Sequence, residues 1–364
     1  KVGGSNRLRM IYACLVFLGS MLCLMDSWKK NRLNRFIFWY VLVGLCIFMV
    51  FVAGLRLDVG FDYYTYVYMF RNTPKLFTGV FSHSREAHGE IGFHFLSGLL
   101  KFLGFTSASS LFTIFAIMAI LLNVMSLRRY TRFVGHAFFL YLCFYFFGRE
   151  MGQIRQGLAT AILFFSIQYV LNRDYRRFVA FVILASTIHL SSFVFLPLYW
   201  VGNVRFRKSA YWSLLVLGVV LAFFPWHIYV FPLLPVNFPG IGYVSSRYGQ
   251  AVGLFSITML RRLLPAVLVL VTPSRVQDRA GAEFIVFHNM VVMGSFLSLM
   301  FRHVAILAER LVVPYLFAEI VVYPSFLNYF GSKVWRVIWS IFIVLLGVIF
   351  VYNLFLNNSH LYFP

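Results

Sequence analysis

The chain has 364 residues, of which 61% are hydrophobic and 20% aromatic, with only 12% charged and a net charge of +21. A soluble domain is nearer half apolar and carries about 25% charge, so this balance excludes an ordinary soluble enzyme. Charge falls in short clusters between apolar runs of spanning length, which points to an all-α integral membrane protein; a transmembrane β-barrel would show weak alternation over ~10-residue segments instead.

Residues 1–9 read as an upstream extension ahead of a native start at Met10, and 10–364 as a single polytopic membrane domain. The expected spans are 11–26, 36–54, 109–127, 134–147, 156–171, 177–201, 210–226, 257–272, 283–300, 311–328 and 335–356. They make a bundle of about 11–12 transmembrane helices. The first run is followed by a basic loop and no small-residue cleavage site, so no cleavable signal peptide is expected. Cys14, Cys23, Cys46 and Cys143 all lie in apolar runs and read as small buried hydrophobes, not as a disulfide or metal framework.

Loop charge sets sidedness. Segments 27–35, 128–132, 172–177, 203–208, 274–279 and 332–336 are short and basic, and should share the cytoplasmic side. Because 172–177 and 203–208 are both inside, 177–201 must cross an even number of times, as a short helical pair with "STIHLSS" (186–192) near its turn. The apolar piece 93–105 is interfacial or re-entrant. External loops are then 55–108 and 227–256, with 148–155, 301–310 and both termini on the same face; Arg7 and Arg9 fit that placement only if they are not native.

External segments should be poor in arginine, yet these hold Arg56, Arg71, Arg85, Arg149, Arg155, Arg247, Arg302 and Arg310. They also hold Asp58, Asp62, Glu86, Glu90, Glu150 and Glu309, six of the eleven acids, and His83, His88, His94, His189, His227 and His303. An arginine-rich external cavity with a few acids reads as a site for an anionic ligand, since the guanidinium fork binds phosphate bidentately and stays charged. "GREMGQIRQGLA" puts Arg149 and Arg155 at the mouth of the 156–171 helix, whose free N–H groups favour an anion. Arg261 and Arg262 sit ~8 Å inside the 257–272 span at about 1.5 Å per residue. Glu319 lies near the middle of 311–328; such charges either face a cavity or form structural ion pairs. No Walker loop, dinucleotide-binding glycine motif, zinc-protease motif or nucleophile elbow is present. An external site has no access to cytoplasmic nucleotide, so donor activation should be built into a lipid-borne substrate such as a polyprenyl pyrophosphate.

The chain resembles the EpsG family of Wzy-type bacterial polysaccharide polymerases over about Met10 to Tyr315. "RLDVGFDYYTY", with Arg56, Gly60, Asp62, Tyr63 and Tyr66, is similar to that family's R-x-x-x-G-x-D-Y-x-x-Y signature. "EIGF" at Glu90, "IRQGLA" with Arg155 and Gln156, and "ASTIHLSS" around His189 follow in the same order, and "SSRY" (245–248) and "ERLVVPY" (309–315) fit more loosely. Asp58 and the histidine-rich stretch 83–94 fall outside the pattern.

The resemblance implies a glycosyltransferase-C-like helical fold in the bacterial inner membrane, polymerising at the periplasmic face without a metal or other cofactor. The implied partners are an undecaprenyl-pyrophosphate-linked oligosaccharide and membrane lipid, with a chain-length regulator and a flippase as accessory proteins and no nucleic acid. Arg155 and Arg310, helped by Arg149, Arg247 and Arg56, would neutralise the leaving pyrophosphate. Asp62, His189 and Glu150 are the candidate bases, with Asp62 and His189 ranked together. Tyr63 and Tyr66, with Gln156 and Glu90, would contact glycan or pyrophosphate, although interfacial tyrosines also serve as a membrane belt. A ligase or other lipid-linked glycosyltransferase, and a glycolipid flippase, are the rival classes; a flippase often carries inverted repeats, and none is visible here.

Overall fold

The structure, a computed structural model, describes residues 2–26, 31–76, 89–233, 251–273 and 282–363. Among these residues every regular element is helical. The first half holds α1 (Val2–Asp26), α2 (Arg32–Gly54), α3 (Tyr63–Asn72), α4 (Ile91–Phe102), α5 (Ala108–Tyr130), α6 (Val134–Tyr141, continued by a π turn over Leu142–Phe146), α7 (Ile154–Leu171) and α8 (Tyr175–Ile188). The second half adds α9 (Lys208–Phe223), α10 (Ile257–Val271), α11 (Ala282–Met300), α12 (Ala305–Leu316) and α13 (Lys333–Asn357), joined by shorter turns.

Six helices among the described residues are long and apolar enough to cross a bilayer: Asn6–Asp26, Arg32–Gly54, Ala108–Tyr130, Ile154–Leu171, Glu283–Met300 and Lys333–Asn357. Lys208–Phe223 taken with His227–Leu233, bent by 73°, forms either a broken span or a re-entrant loop. This is fewer than the 11–12 expected, and the difference has a physical cause. The remaining apolar runs form helices too short for a crossing: α10 has 15 residues and α12 has 12, with Pro265 and Pro314 inside them, and Pro324 lies in the short helical turn that follows. The 177–201 segment breaks where parity requires. Helix α8 stops before His189, a 3₁₀ stretch runs Leu190–Phe195, and one more turn covers Leu198–Val201. Residues 93–105 form only the 12-residue α4, too short for a crossing.

The helices gather in two compact units. The first comprises Lys1–Phe165, Ala180–Leu190 and Tyr323–Pro364. In it α1 packs on α6, α2 on α5 and α13 on the π turn. At one end of this unit the 128–132 loop lies beside the start of α2 and the turn before α13. There Arg128 stacks on the Trp39 ring at 4.7 Å and Arg132 donates to Asn328. The Asp26 carboxylate accepts from the Gly135 and His136 N–H groups that open α6. His136 Nδ1 lies 3.0 Å from Asp26 and its Nε2 2.9 Å from the Ser340 hydroxyl. The other end gathers Arg56, Gly60, Glu90, the 148–153 turn and the C-terminal turn, where the Gly60 N–H donates to the Leu361 carbonyl at 3.0 Å.

The second unit comprises Ser166–Val179 and Ser191–Val322. The charges within and beside its apolar runs are paired: Arg261 with the fully buried Glu319, and Arg262 with Glu309. The Ser295 hydroxyl donates to the Arg262 carbonyl at 2.6 Å. Of the two readings open for these charges, structural pairing is the one the geometry favours. Arg302 is likewise anchored on backbone, donating to the Val252 and Ala222 carbonyls.

Candidate functional site

The glycine-rich turn between the π turn and α7 is the local device that sets up the site. Arg149 N–H donates to the Tyr145 carbonyl at 2.7 Å and Gln153 N–H to the Gly148 carbonyl at 3.1 Å, so the chain turns before α7 starts. This turn sends its two arginines different ways. Arg149 is buried and donates to the Gln156 side chain at 2.8 Å and to Gln153. Arg155, one residue into α7, points to a separate cluster.

Glu90 is the centre of that cluster. It occupies the position before the first turn of α4, yet its side chain caps no N–H of that helix. Both carboxylate oxygens are used elsewhere. One is ion-paired to Arg155. The other accepts from the Leu190 N–H at 3.1 Å and lies 3.4 Å from His189 Nδ1. One carboxylate therefore ties together the start of α4, the start of α7 and the end of α8. Burial works to raise the Glu90 carboxyl, but the His189 ring, the Arg155 guanidinium and the Leu190 N–H outweigh it and hold it down to about 2.

Arg155 also bonds the Tyr66 phenol, whose ring centroid is 5.7 Å from the guanidinium carbon; the Phe93 ring lies at 5.8 Å. Its Nε is buried with no hydrogen-bond partner among the described residues. Tyr66, fully buried on α3, feels the charge of Asp62, whose carbonyl accepts the Tyr66 N–H at 3.0 Å. Asp62 itself is half-buried at the start of α3 and makes no side-chain cap there. Asp62, Tyr66, Arg155, Glu90 and His189 thus form one continuous polar line, from four segments of sequence.

Gly89 precedes this line with φ +124°, a conformation open to glycine. A Cβ there would come within 2.4 Å of Met69 Cε and 3.0 Å of His94 Nε2. His94 is itself fully buried and its Nδ1 lies 2.9 Å from the Thr73 hydroxyl, a structural bond between α3 and α4.

Arg56 belongs to a second, deeper group. It is 5% exposed, and its Nη1 donates to the Ala53 carbonyl at 2.9 Å and to the Glu150 carbonyl at 2.8 Å. The guanidinium lies 4.0 Å from the Phe112 ring centroid. Nε and Nη2 are buried without a hydrogen-bond partner among the described residues. Burial draws the group down to about 10, against Tyr66, Tyr362, Tyr63 and Tyr12, which face it. Glu150 is 3% exposed; one oxygen accepts from the Tyr141 hydroxyl at 2.8 Å and the other is buried without a hydrogen-bond partner among the described residues. Burial pushes its carboxyl up to about 7, against the Tyr141 bond, its own backbone N–H and the charges of Arg149 and Arg56. Tyr63 packs on Phe112 at 5.4 Å.

The two aspartates of the opening signature separate cleanly. Asp58 adopts φ +57°, a left-handed conformation that Asp tolerates, and its side chain takes the Tyr64 hydroxyl on the exposed surface. Gly60 at φ +108° is the tight point: a Cβ would lie 1.9 Å from the Met151 carbonyl oxygen.

Arg310 lies half-buried on α12 in the second unit. Arg247, with His83, Arg85, Glu86 and His88, lies outside the described residues. Sequence reasoning missed Tyr141, Gln153 and the Leu190 N–H; Tyr141 stands in an apolar run where nothing marks it, while Gln153 sits within the quoted turn. Among the described residues no group of three or more His, Cys, Asp or Glu side chains is placed to hold a metal ion.

Arg56, Gly60, Asp62, Tyr66, Glu90, Arg155 and His189 thus converge at one end of the first unit. The profile of the EpsG family matches residues 39–364. The chain belongs to the EpsG family. The match starts at Trp39, beyond α1, and includes α13 and the C-terminal turn. EpsG proteins are polysaccharide-polymerase-like membrane proteins, and the multi-pass helical architecture here agrees with that class. No curated protein and no solved structure matches the chain.

Proposed function

We propose that this EpsG protein is a polysaccharide polymerase of the Wzy type in the bacterial inner membrane. It transfers a growing glycan from undecaprenyl pyrophosphate to the sugar of a lipid-linked repeat unit at the periplasmic face, as in O-antigen and related polymers of the lipopolysaccharide kind. The observation that carries this reading is the Arg155 cluster, an arginine at a helix start held by Glu90 and Tyr66, with its Nε unpartnered among the described residues.

The chemistry needs no nucleotide. An acceptor hydroxyl oxygen attacks the anomeric carbon of the growing glycan, and the bond from that carbon to the pyrophosphate oxygen breaks. The electron pair leaves with undecaprenyl pyrophosphate, where Arg155 and the N–H groups opening α7 offset the developing charge. Asp62 takes the hydroxyl proton. It is the half-buried carboxylate of the three candidates and stands one residue contact from Arg155 through Tyr66. His189 is held by Glu90 and positions that carboxylate against Arg155. Glu150 and Arg56, buried beneath, hold the 148–153 turn in place. Arg310 and Arg247 remain candidates for the second lipid-linked substrate. A single displacement inverts the anomeric centre, which stereochemical analysis of the product linkage tests.

Purified protein given only lipid-linked repeat units should form a ladder of polymers. A ligase would form none without a second acceptor, and a flippase would move the lipid without a new glycosidic bond.

A further inference from the structure

Helices α2 and α5 run side by side through the first unit, and a groove of about 730 Å³ lies along them. Its ends are defined by pairs of residues. At one end stand Trp39 and Arg128, stacked on each other; at the other stand Leu55 and Thr113. Between them the lining is aliphatic and aromatic, and its side chains are open to the surroundings, with Ile47 52% and Leu121 56% exposed.

Two features say what fills it. The first is length. Trp39 to Leu55 covers about 24 Å of helix at 1.5 Å per residue. The hydrocarbon core is about 30 Å thick, so one leaflet is about 15 Å and an ordinary acyl chain would fill little more than half the groove. A single chain longer than one leaflet matches it. The second is position. Leu55 is followed by Arg56, and Thr113 is preceded by Phe112, whose ring lies under the Arg56 guanidinium. The groove therefore ends beside the Arg56–Phe112 pair on both of its walls, and its far end carries a cation on an indole ring.

We infer that this groove seats the polyisoprenoid tail of the lipid-linked substrate, with the tail entering beside the Arg56–Phe112 pair and running toward Trp39 and Arg128. The inference rests on the proposed use of a lipid pyrophosphate and names where its lipid lies.

The test uses the full chain in phospholipid nanodiscs and a polyprenyl pyrophosphate with a diazirine in its tail. Photolysis should label peptides of α2 and α5, and unlabelled polyprenyl pyrophosphate should compete while added phosphatidylglycerol does not. Label on other helices, or equal competition by phosphatidylglycerol, overturns the assignment. Ile47→Trp and Leu121→Trp fill the groove from its two walls. Each should raise KM for the long-tailed substrate about tenfold with kcat nearly unchanged, and leave a short-prenyl substrate unaffected. Equal effects on both substrates would contradict the groove. Labelling needs no turnover. A chain that labels on α2 and α5 but makes no polymer keeps the groove and refutes the polymerase; one that polymerises but labels elsewhere does the reverse.

Discussion

Glu90 and Arg155 are 65 residues apart in sequence and joined by an ion pair, with His189 on the second oxygen of the same carboxylate. Three segments that share only an order in the sequence are brought to one carboxyl group. That group is held near 2 by its partners, so at neutral pH it is a fixed anion and is unsuited to take a proton.

Glu90→Gln keeps the shape and removes the charge that holds both partners. We expect chain elongation to fall by at least about tenfold, the effect of a loss of about 1.4 kcal/mol in transition-state stabilisation. Insertion into the membrane should persist. Elongation assays on the variant in native membranes check this, with protein level as the control; full-length polymer would contradict the role given to Glu90.

Glu150 makes a pH prediction with a definite sign. Its folded carboxyl is raised to about 7, above its unfolded value, so its contribution to stability is greatest in acid. That contribution is lost as pH rises from the unfolded value through about 7 and then levels off. Glu150→Gln should flatten this part of the profile, making the variant relatively more stable than the parent at pH 8 than at pH 5. Thermal unfolding followed by tryptophan fluorescence across that range measures it, and parallel profiles would contradict the buried, titrating carboxyl.

The signature aspartates and glycine should behave differently from each other. Asp58→Asn stays in a conformation that Asn also tolerates and should change stability by no more than about 0.5 kcal/mol, with activity retained. Asp62→Asn should abolish elongation. Gly60→Ala places a methyl on the Met151 carbonyl at φ +108° and should cost about 2 kcal/mol or more. Paired melting and polymer assays of the three variants separate these outcomes.

Much of this was legible in the sequence, for reasons that differ by element. Membrane class follows from hydrophobic runs separated by short basic loops. The break near His189 follows from parity alone. The number of full spans did not follow, because an apolar run reads the same whether it folds as one long helix or, like α10 and α12, as a helix of 15 or 12 residues. Pairings such as Glu90 with Leu190 were hidden as well, since a backbone N–H has no sequence signature. Arg56 shows the limit most plainly. Its place outside the spans marks it as unusual, but only the fold shows it buried on two backbone carbonyls and a phenylalanine ring.

The central claim is that Arg155 neutralises a departing lipid pyrophosphate. The most direct test is in vitro elongation by purified parent and Arg155→Ala proteins supplied only with lipid-linked repeat units, with melting temperature measured alongside. We predict a product ladder from the parent and none from a variant that remains folded. A ladder from Arg155→Ala, or transbilayer movement of the lipid by the parent without a new glycosidic bond, would contradict it.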